Sequence, residues 1–273
     1  MDHRLEVAGL RLEVARHGPP AAERTLVFLH EGLGCVSLWR TFPQRLSEAT
    51  GWSSLVYSRA GYGRSDGNPP PWPVTFLHQE AALLPQVLEA AGVGEHVLIG
   101  HSDGGSLALI HAGSPSTRGL LGVVTLAAHV FVEDLTIQSI ERAERAFRTG
   151  DLRARLARHH GENVDDAFGG FTSAWLDPAF RAWTITDSLP RVRVPVLALQ
   201  GEDDEYGTSA QTAAIVAGAP RAEALTVPGG HALHREQEAL LVETIAAFVR
   251  GVAAPPDQGA PPSGSGPAGP QGG

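Results

Sequence analysis

Residues 96–109 read His96-Val97-Leu98-Ile99-Gly100-His101-Ser102-Asp103-Gly104-Gly105-Ser106-Leu107-Ala108-Leu109. The first four are a short apolar run of strand length, and residues 103–113 are small and apolar over helical length. Between the two lies Gly-x-Ser-x-Gly, from Gly100 to Gly104. A serine held on so tight a strand-to-helix turn needs small neighbours, and its hydroxyl stands clear of the sheet. It also sits where backbone N–H groups and the helix dipole favour a developing negative charge. The same pattern recurs at Gly63-Arg64-Ser65-Asp66-Gly67. There a loop precedes it, and Asn68-Pro69-Pro70-Pro71 follows, which is incompatible with a helix. Ser102 is therefore the candidate nucleophile, and Ser65 belongs to a structural loop.

Working outward, residues 4–8 and 11–16 read as a hairpin turning at Ala8-Gly9, and 25–29, 53–57, 120–126, 196–199 and 223–227 as further short strands. Helices are expected through Trp39, Phe42 and Leu46, over 74–91, and over 235–250, where Leu241, Ile245, Phe248 and Val249 share one face. Continuous apolar strands alternating with helices imply crossover connections and a mostly parallel sheet covered by helices on both faces, an α/β fold. Residues 129–188 break that rhythm. They are helical in pattern, rich in Arg and Glu, and carry Phe168, Phe171, Trp175, Phe180 and Trp183. The expected organisation is a core made of 1–128 and 189–251, an inserted helical lid of 129–188, and a Pro/Gly-rich tail of 252–273. That tail lacks the bulky apolar side chains that offset the entropy of ordering, so it is expected to be disordered.

The 273 residues carry a net charge of −9, and all 21 cationic side chains are Arg. Without a lysine there is no Walker phosphate loop, pyridoxal Schiff base or lysine-based aldolase, since each needs an ε-amine. No basic stripe offers a footprint for nucleic acid, which is therefore not an expected partner. The single Cys35 can form neither an internal disulfide nor a thiolate metal site, and no metal is expected. No apolar run approaches the roughly 18 residues needed to span a membrane. Met1-Asp2-His3-Arg4-Leu5 is not followed by the apolar region of a leader peptide. The expectation is a cytoplasmic protein acting on a small molecule without a membrane partner; its oligomeric state is not written in the sequence.

A serine hydroxyl needs a base, and the base needs a carboxylate to orient it. His231, in Pro228-Gly229-Gly230-His231 between the last strand and the final helix, is the first candidate, with His234 its rival. Gly201-Glu202-Asp203-Asp204-Glu205 follows the 196–199 strand and offers the acid, with Asp203 and Asp204 both open. Serine, acid and histidine in that chain order, each past the C-terminal end of a strand, suit this kind of sheet.

Together with His30-Glu31-Gly32-Leu33-Gly34 and Tyr57-Ser58-Arg59-Ala60-Gly61-Tyr62-Gly63-Arg64-Ser65, these patches resemble the α/β-hydrolase superfamily. The resemblance is to its lid-bearing branch of meta-cleavage-product hydrolases, enol-lactonases and small esterases, over residues 4 to 250. It implies that the acid is Asp204, three residues after Gly201. It implies oxyanion donors in the backbone N–H groups of Gly32 and Asp103. The implied activity is cleavage of a carboxylic ester or related acyl bond through an acyl-enzyme, without metal or organic cofactor. Dehalogenase chemistry is disfavoured, because it needs a carboxylate where Ser102 stands. Two departures stand out: Glu31 replaces a usual Gly, and Asp103 a small or apolar residue.

Two alternatives belong beside this reading. One is C–C bond hydrolysis of a vinylogous diketone, for which one of the lid arginines Arg142, Arg145, Arg148, Arg153, Arg155, Arg158 and Arg181 would hold the substrate carboxylate. The other is a non-catalytic binding protein on the same fold. His129, Trp175 and Trp183 are candidate substrate contacts. His30 is expected to brace its loop, His101 to pack beside the serine turn, and Asp103 to complement the helix dipole. His159 and His160 are adjacent, so they do not share a helix face, and solvent exposure is expected for both.

Overall fold

The computed structural model describes residues 4–20 and 22–253. β1 (Arg4–Val7) and β2 (Leu10–His17) form the expected hairpin. Its two-residue turn places Ala8 and Gly9 at positive φ, the geometry that matches the twist of the flanking strands. There follow β3 (Arg24–Leu29), α1 (Phe42–Thr50), β4 (Ser53–Tyr57), α2 (Phe76–Ala90), β5 (Glu95–His101), α3 (Asp103–Ala112) and β6 (Leu120–Leu126). Three helices come next: α4 (Asp134–Thr149), α5 (Leu152–His160) and α6 (Val164–Trp175). The alternation resumes with β7 (Val196–Gly201), α7 (Ala210–Gly218), β8 (Ala222–Val227), α8 (Leu233–Glu236) and α9 (Glu238–Ala253).

The strands make one sheet in the order β1-β2-β4-β3-β5-β6-β7-β8. β2 is antiparallel to both its neighbours, and every other pairing is parallel. The apolar runs are uninterrupted because both faces are buried. Val27, Leu29, Leu98, Val123 and Ala198 face one core with α2 and α3. Leu26, Phe28, Val97, Ile99, Val124 and Leu199 face the other, against Phe42 and Leu46 of α1 and Leu241, Ile245 and Val249 of α9. Neighbouring residues of one strand thus feed opposite cores, as a two-residue side-chain period requires.

Residues 127–195, between β6 and β7, carry α4, α5 and α6 and include the 129–188 stretch for which a helical lid was expected. Trp175, Phe180 and Trp183 join the core on the α2–α3 face, so the insertion is packed onto the sheet domain rather than standing apart. His160 corrects the expectation of solvent exposure. It is 1% exposed, accepts the Gly63 N–H at Nδ1 (3.0 Å) and donates from Nε2 to the Leu33 carbonyl (3.0 Å), tying the insertion to two core loops. The final helix also departs from a single 235–250 span. It is two pieces, α8 and α9, and the Glu236 carboxylate at the end of α8 turns back to accept the Gly230 N–H (2.7 Å). Val252 and Ala253, expected to begin the tail, instead close α9, and the rest of that expectation, 254–273, lies outside the described residues. Among the described residues, no helix is long and apolar enough to cross a membrane.

Candidate active site

The C-terminal ends of β3, β5, β6, β7 and β8 deliver Gly32, Ser102, His129, Asp204 and His231 to one edge of the sheet, the edge at which open α/β sheets bind ligands. Ser102 is the single residue between β5 and α3, with φ 52° and ψ −117°. For a residue with a Cβ this conformation costs on the order of 1–3 kcal/mol and persists only when its surroundings impose it. Here they do. A Cβ on Gly104 would overlap the Leu29 carbonyl oxygen, and one on Gly100 would overlap the Gly104 carbonyl. The two flanking glycines let helix and strand backbones touch, and the turn between them has no other path. Ser65, in the second copy of the pattern, sits instead in a loop; its hydroxyl donates to the Ser58 carbonyl (2.6 Å) and accepts the Glu13 N–H (2.9 Å).

Asp204 is buried, whereas Asp203 is exposed. The Asp204 carboxylate accepts from Gln200 Nε2 (2.6 Å) and from the Tyr206 N–H (2.8 Å), and it faces His231 Nδ1 at 2.9 and 3.0 Å. Burial alone would raise its pKa, but the hydrogen bond and charge of His231 and the Tyr206 N–H outweigh burial and hold it below the usual value. The His231 ring packs among His101 (5.0 Å between centroids), His129 (5.9 Å) and Tyr206 (4.7 Å). The rival His234 lies elsewhere, against Trp39 and His101. Burial pushes its pKa down to about 3, with His101 acting the same way, so it stays neutral.

Ser102, His231, Gly32 and Asp103 line one cavity, walled by His129, Phe171 and Trp175. Ser102 makes no hydrogen bond to His231 here; such contacts are often loose until substrate tightens them. His129 is buried and neutral, its pKa lowered to about 3 by burial and then by His231. Trp183 is not on the cavity wall. It stacks on Phe180 (5.1 Å, 11° between planes) behind Trp175. Tyr206, Ile140 and Leu33 also line the cavity, and the sequence did not single them out. Tyr206 carries the one usable signal, since it lies two residues after Asp204.

His30 braces its loop as expected: Nδ1 donates to the Glu31 carbonyl (2.7 Å) and Nε2 accepts the Arg59 N–H (3.1 Å). His101 donates from Nε2 to the His231 carbonyl (2.9 Å), and its Nδ1 stands 3.3 Å from Glu31. Asp103 does more than complement a dipole. Its side chain is fully buried, and Oδ1 accepts the Trp175 indole N–H (3.2 Å). Burial raises its pKa to about 6, against the pull of Arg59, Trp175 and His231. No insertion arginine lines the cavity; Arg155 and Arg158 gather with Arg40 and Arg235 in a neighbouring groove. Among the described residues no cluster of three or more His, Cys, Asp or Glu is placed to hold a metal.

A parallel sheet with a strained serine turn at its centre, and an acid and a histidine beyond it, defines a hydrolase fold. The sequence pattern of the alpha/beta hydrolase family matches residues 26–244, and the chain belongs to that family. The 2-succinyl-6-hydroxy-2,4-cyclohexadiene-1-carboxylate synthase of Serratia proteamaculans (strain 568) is 25% identical over 202 residues, spanning 66% of this chain and 76% of that protein. The enol-lactonase of Burkholderia xenovorans LB400 superposes with a TM-score of 0.74 at 18% identity, covering 90% of this chain and 99% of that one. The proline iminopeptidase of Mycobacterium smegmatis does so with a TM-score of 0.70 at 21% identity, covering 91% and 97%. Likeness at this level of identity speaks for the fold and not for a substrate.

Proposed function

We propose that the protein is a serine hydrolase that cleaves an ester or related acyl bond of a small molecule through an acyl-enzyme. The observation that carries this reading is the Asp204–His231 contact at 2.9 Å in a cavity shared with Ser102. Neutral His231 takes the Ser102 proton at Nε2 as the hydroxyl oxygen attacks the carbonyl carbon. Asp204 holds Nδ1–H, fixes the tautomer and stabilises the imidazolium. The backbone N–H groups of Gly32 and Asp103 receive the oxyanion, a contribution of about 3–4 kcal/mol for a strong donor. His231 then protonates the leaving group, and water repeats the cycle on the acyl-enzyme. C–C hydrolysis of a diketone is the weaker reading, because the arginine it needs for a substrate carboxylate is missing from the cavity wall.

A fluorophosphonate probe tests the reading. It is expected to label one serine, mapped to Ser102. Label on Ser65, or no label at saturating probe, removes the mechanism and leaves the binding-protein alternative.

The insertion serves in this reading as a substrate-selecting lid, since it supplies Phe171 and Trp175 to the wall and no member of the proposed machinery. Trp175→Leu is expected to change the ratio of kcat/KM between short-chain and aromatic esters by roughly tenfold or more. Trp183→Leu, one layer behind, is expected to change it far less. Truncating either buried ring costs up to about 3–5 kcal/mol, so thermal melts must first show both variants folded. Equal ratios in folded wild type and Trp175→Leu would move substrate selection elsewhere.

A further inference from the structure

The chain carries a net charge of −9, yet one groove on its surface gathers four arginines, Arg40, Arg155, Arg158 and Arg235. They come from three separate segments: the loop before α1, helix α5 and the short α8. Like charges brought together from distant segments repel unless an anion lies among them. The carboxylates present are too few. Glu31 lies on the groove wall, 3.9 Å from Arg235, and Asp151 stands 3.5 Å from Arg155. Among the described residues, the guanidinium groups of Arg40 and Arg158 have no ion-pair partner. His159 on the same wall registers the imbalance: burial, then Arg235, Arg158 and Arg40, lower its pKa. All four arginines are exposed, so a ligand can reach them. The groove also touches the proposed active site. Glu31 and Leu33 line both it and the cavity that holds Ser102, and Gly32, the proposed oxyanion donor, stands between them.

We infer that this groove binds a phosphate carried on the substrate's leaving group. The inference rests on the serine hydrolase reading. Four guanidinium groups against the Glu31 and Asp151 carboxylates leave a surplus of about two charges, which a phosphate monoester matches at neutral pH. A lone carboxylate carries half of that. The planar guanidinium fork also fits phosphate oxygens in pairs. The acyl part belongs in the cavity, against the apolar faces of Phe171 and Trp175. The alcohol or thiol part then passes Glu31 and Leu33 into the groove, along Leu38 and Leu156, and ends among the arginines. That direction also gives the leaving group its way out to water. His231 protonates the departing oxygen or sulfur, water adds to the acyl carbon, and no bond to phosphorus changes. From Leu152 to His159, α5 runs about 10 Å along the groove at 1.5 Å per residue. That length takes a short phosphorylated alcohol whole, or the inner end of a longer nucleotide thioester.

The test uses two substrate pairs that differ in the phosphate. One is 1-butanoylglycerol 3-phosphate against 1-butanoylglycerol; the other is butanoyl-coenzyme A against S-butanoyl-N-acetylcysteamine. Wild type and the double variant Arg155→Ala/Arg158→Ala are assayed at low salt, with fluorophosphonate labelling of Ser102 in parallel. Wild type is expected to favour the phosphate-bearing member of at least one pair by roughly tenfold in kcat/KM; single exposed ion pairs are weak, so several must act together. The pair that shows the preference names the source, a small phosphorylated alcohol or a nucleotide thioester. In the double variant the ratio is expected to fall close to one, whatever the absolute rates. It is expected to do the same for wild type in about 1 M sodium chloride, which screens exposed charges beyond about 3 Å. Equal or reversed preference in both pairs overturns the inference. So does a preference that survives the double variant, or the salt where that variant does not fold. Labelled Ser102 with no turnover of any of the four substrates overturns it too, and leaves the serine hydrolase reading standing. Failure of Ser102 to label overturns that reading, and this inference with it.

Discussion

Ser102→Ala is expected to lower kcat by a factor on the order of 10⁶ and to leave the fold in place. Alanine removes the only atom proposed to bond the substrate. It keeps the Cβ, so it meets the same positive-φ strain and the same neighbours, and the melting temperature is expected to move little. Residual rate of roughly 10³–10⁴ over water would come from the oxyanion donors and binding alone. Steady-state kinetics on an activated ester, read beside a thermal melt, checks both halves. A variant retaining a tenth of the wild-type rate would mean another group carries the reaction.

The second large effect is expected at Asp204. Asp204→Asn is expected to lower kcat by up to about 10⁴, through the wrong histidine tautomer and the loss of a charge facing the imidazolium. The environment sharpens this expectation. The carboxylate already accepts from Gln200 Nε2 and from the Tyr206 N–H. An amide must then present its own NH₂ either to Gln200 Nε2 or to the Tyr206 N–H, donor against donor in both cases, and from either place it also faces His231 Nδ1. An NH₂ donating to Nδ1 forces the ring proton onto Nε2, where the Ser102 proton is meant to go. Asp203→Asn is the control: that side chain is exposed and is expected to leave kcat within about twofold, as surface substitutions usually do to stability. A large loss at Asp203 with none at Asp204 would reassign the acid.

The middle of the sheet was readable in the sequence because its central strands are buried on both faces and hence apolar, from Thr25–Leu29 to Val196–Leu199. The serine turn was readable for a different reason: backbone contact at Gly100 and Gly104 leaves only one residue type. What escaped was set by contacts between distant parts of the chain. His160 looked like a surface residue, and Gly63 and Leu33, 97 and 127 positions away, bury it. Trp175 and Trp183 were equivalent as letters, yet one faces the cavity and the other its back wall. The Asp103 carboxylate could have pointed along the helix edge to solvent. An indole 72 positions later turns it inward.

Chain order gives the sheet a temporal dimension. The proposed nucleophile, Ser102, directly follows the central strand β5, while the proposed acid and base follow β7 and β8, beyond the helical insertion. A ribosome adding about 5–20 residues per second needs roughly 6–26 s to travel from Ser102 to His231. Throughout that interval the nascent protein carries a serine with no base beside it. On the proposed mechanism, any product of premature termination before His231 is expected to be without hydrolytic activity, however much of it folds. The hydroxyl would gain its reactivity only when the last strand and its loop join the sheet, so hydrolytic activity would report a polypeptide extended past His231.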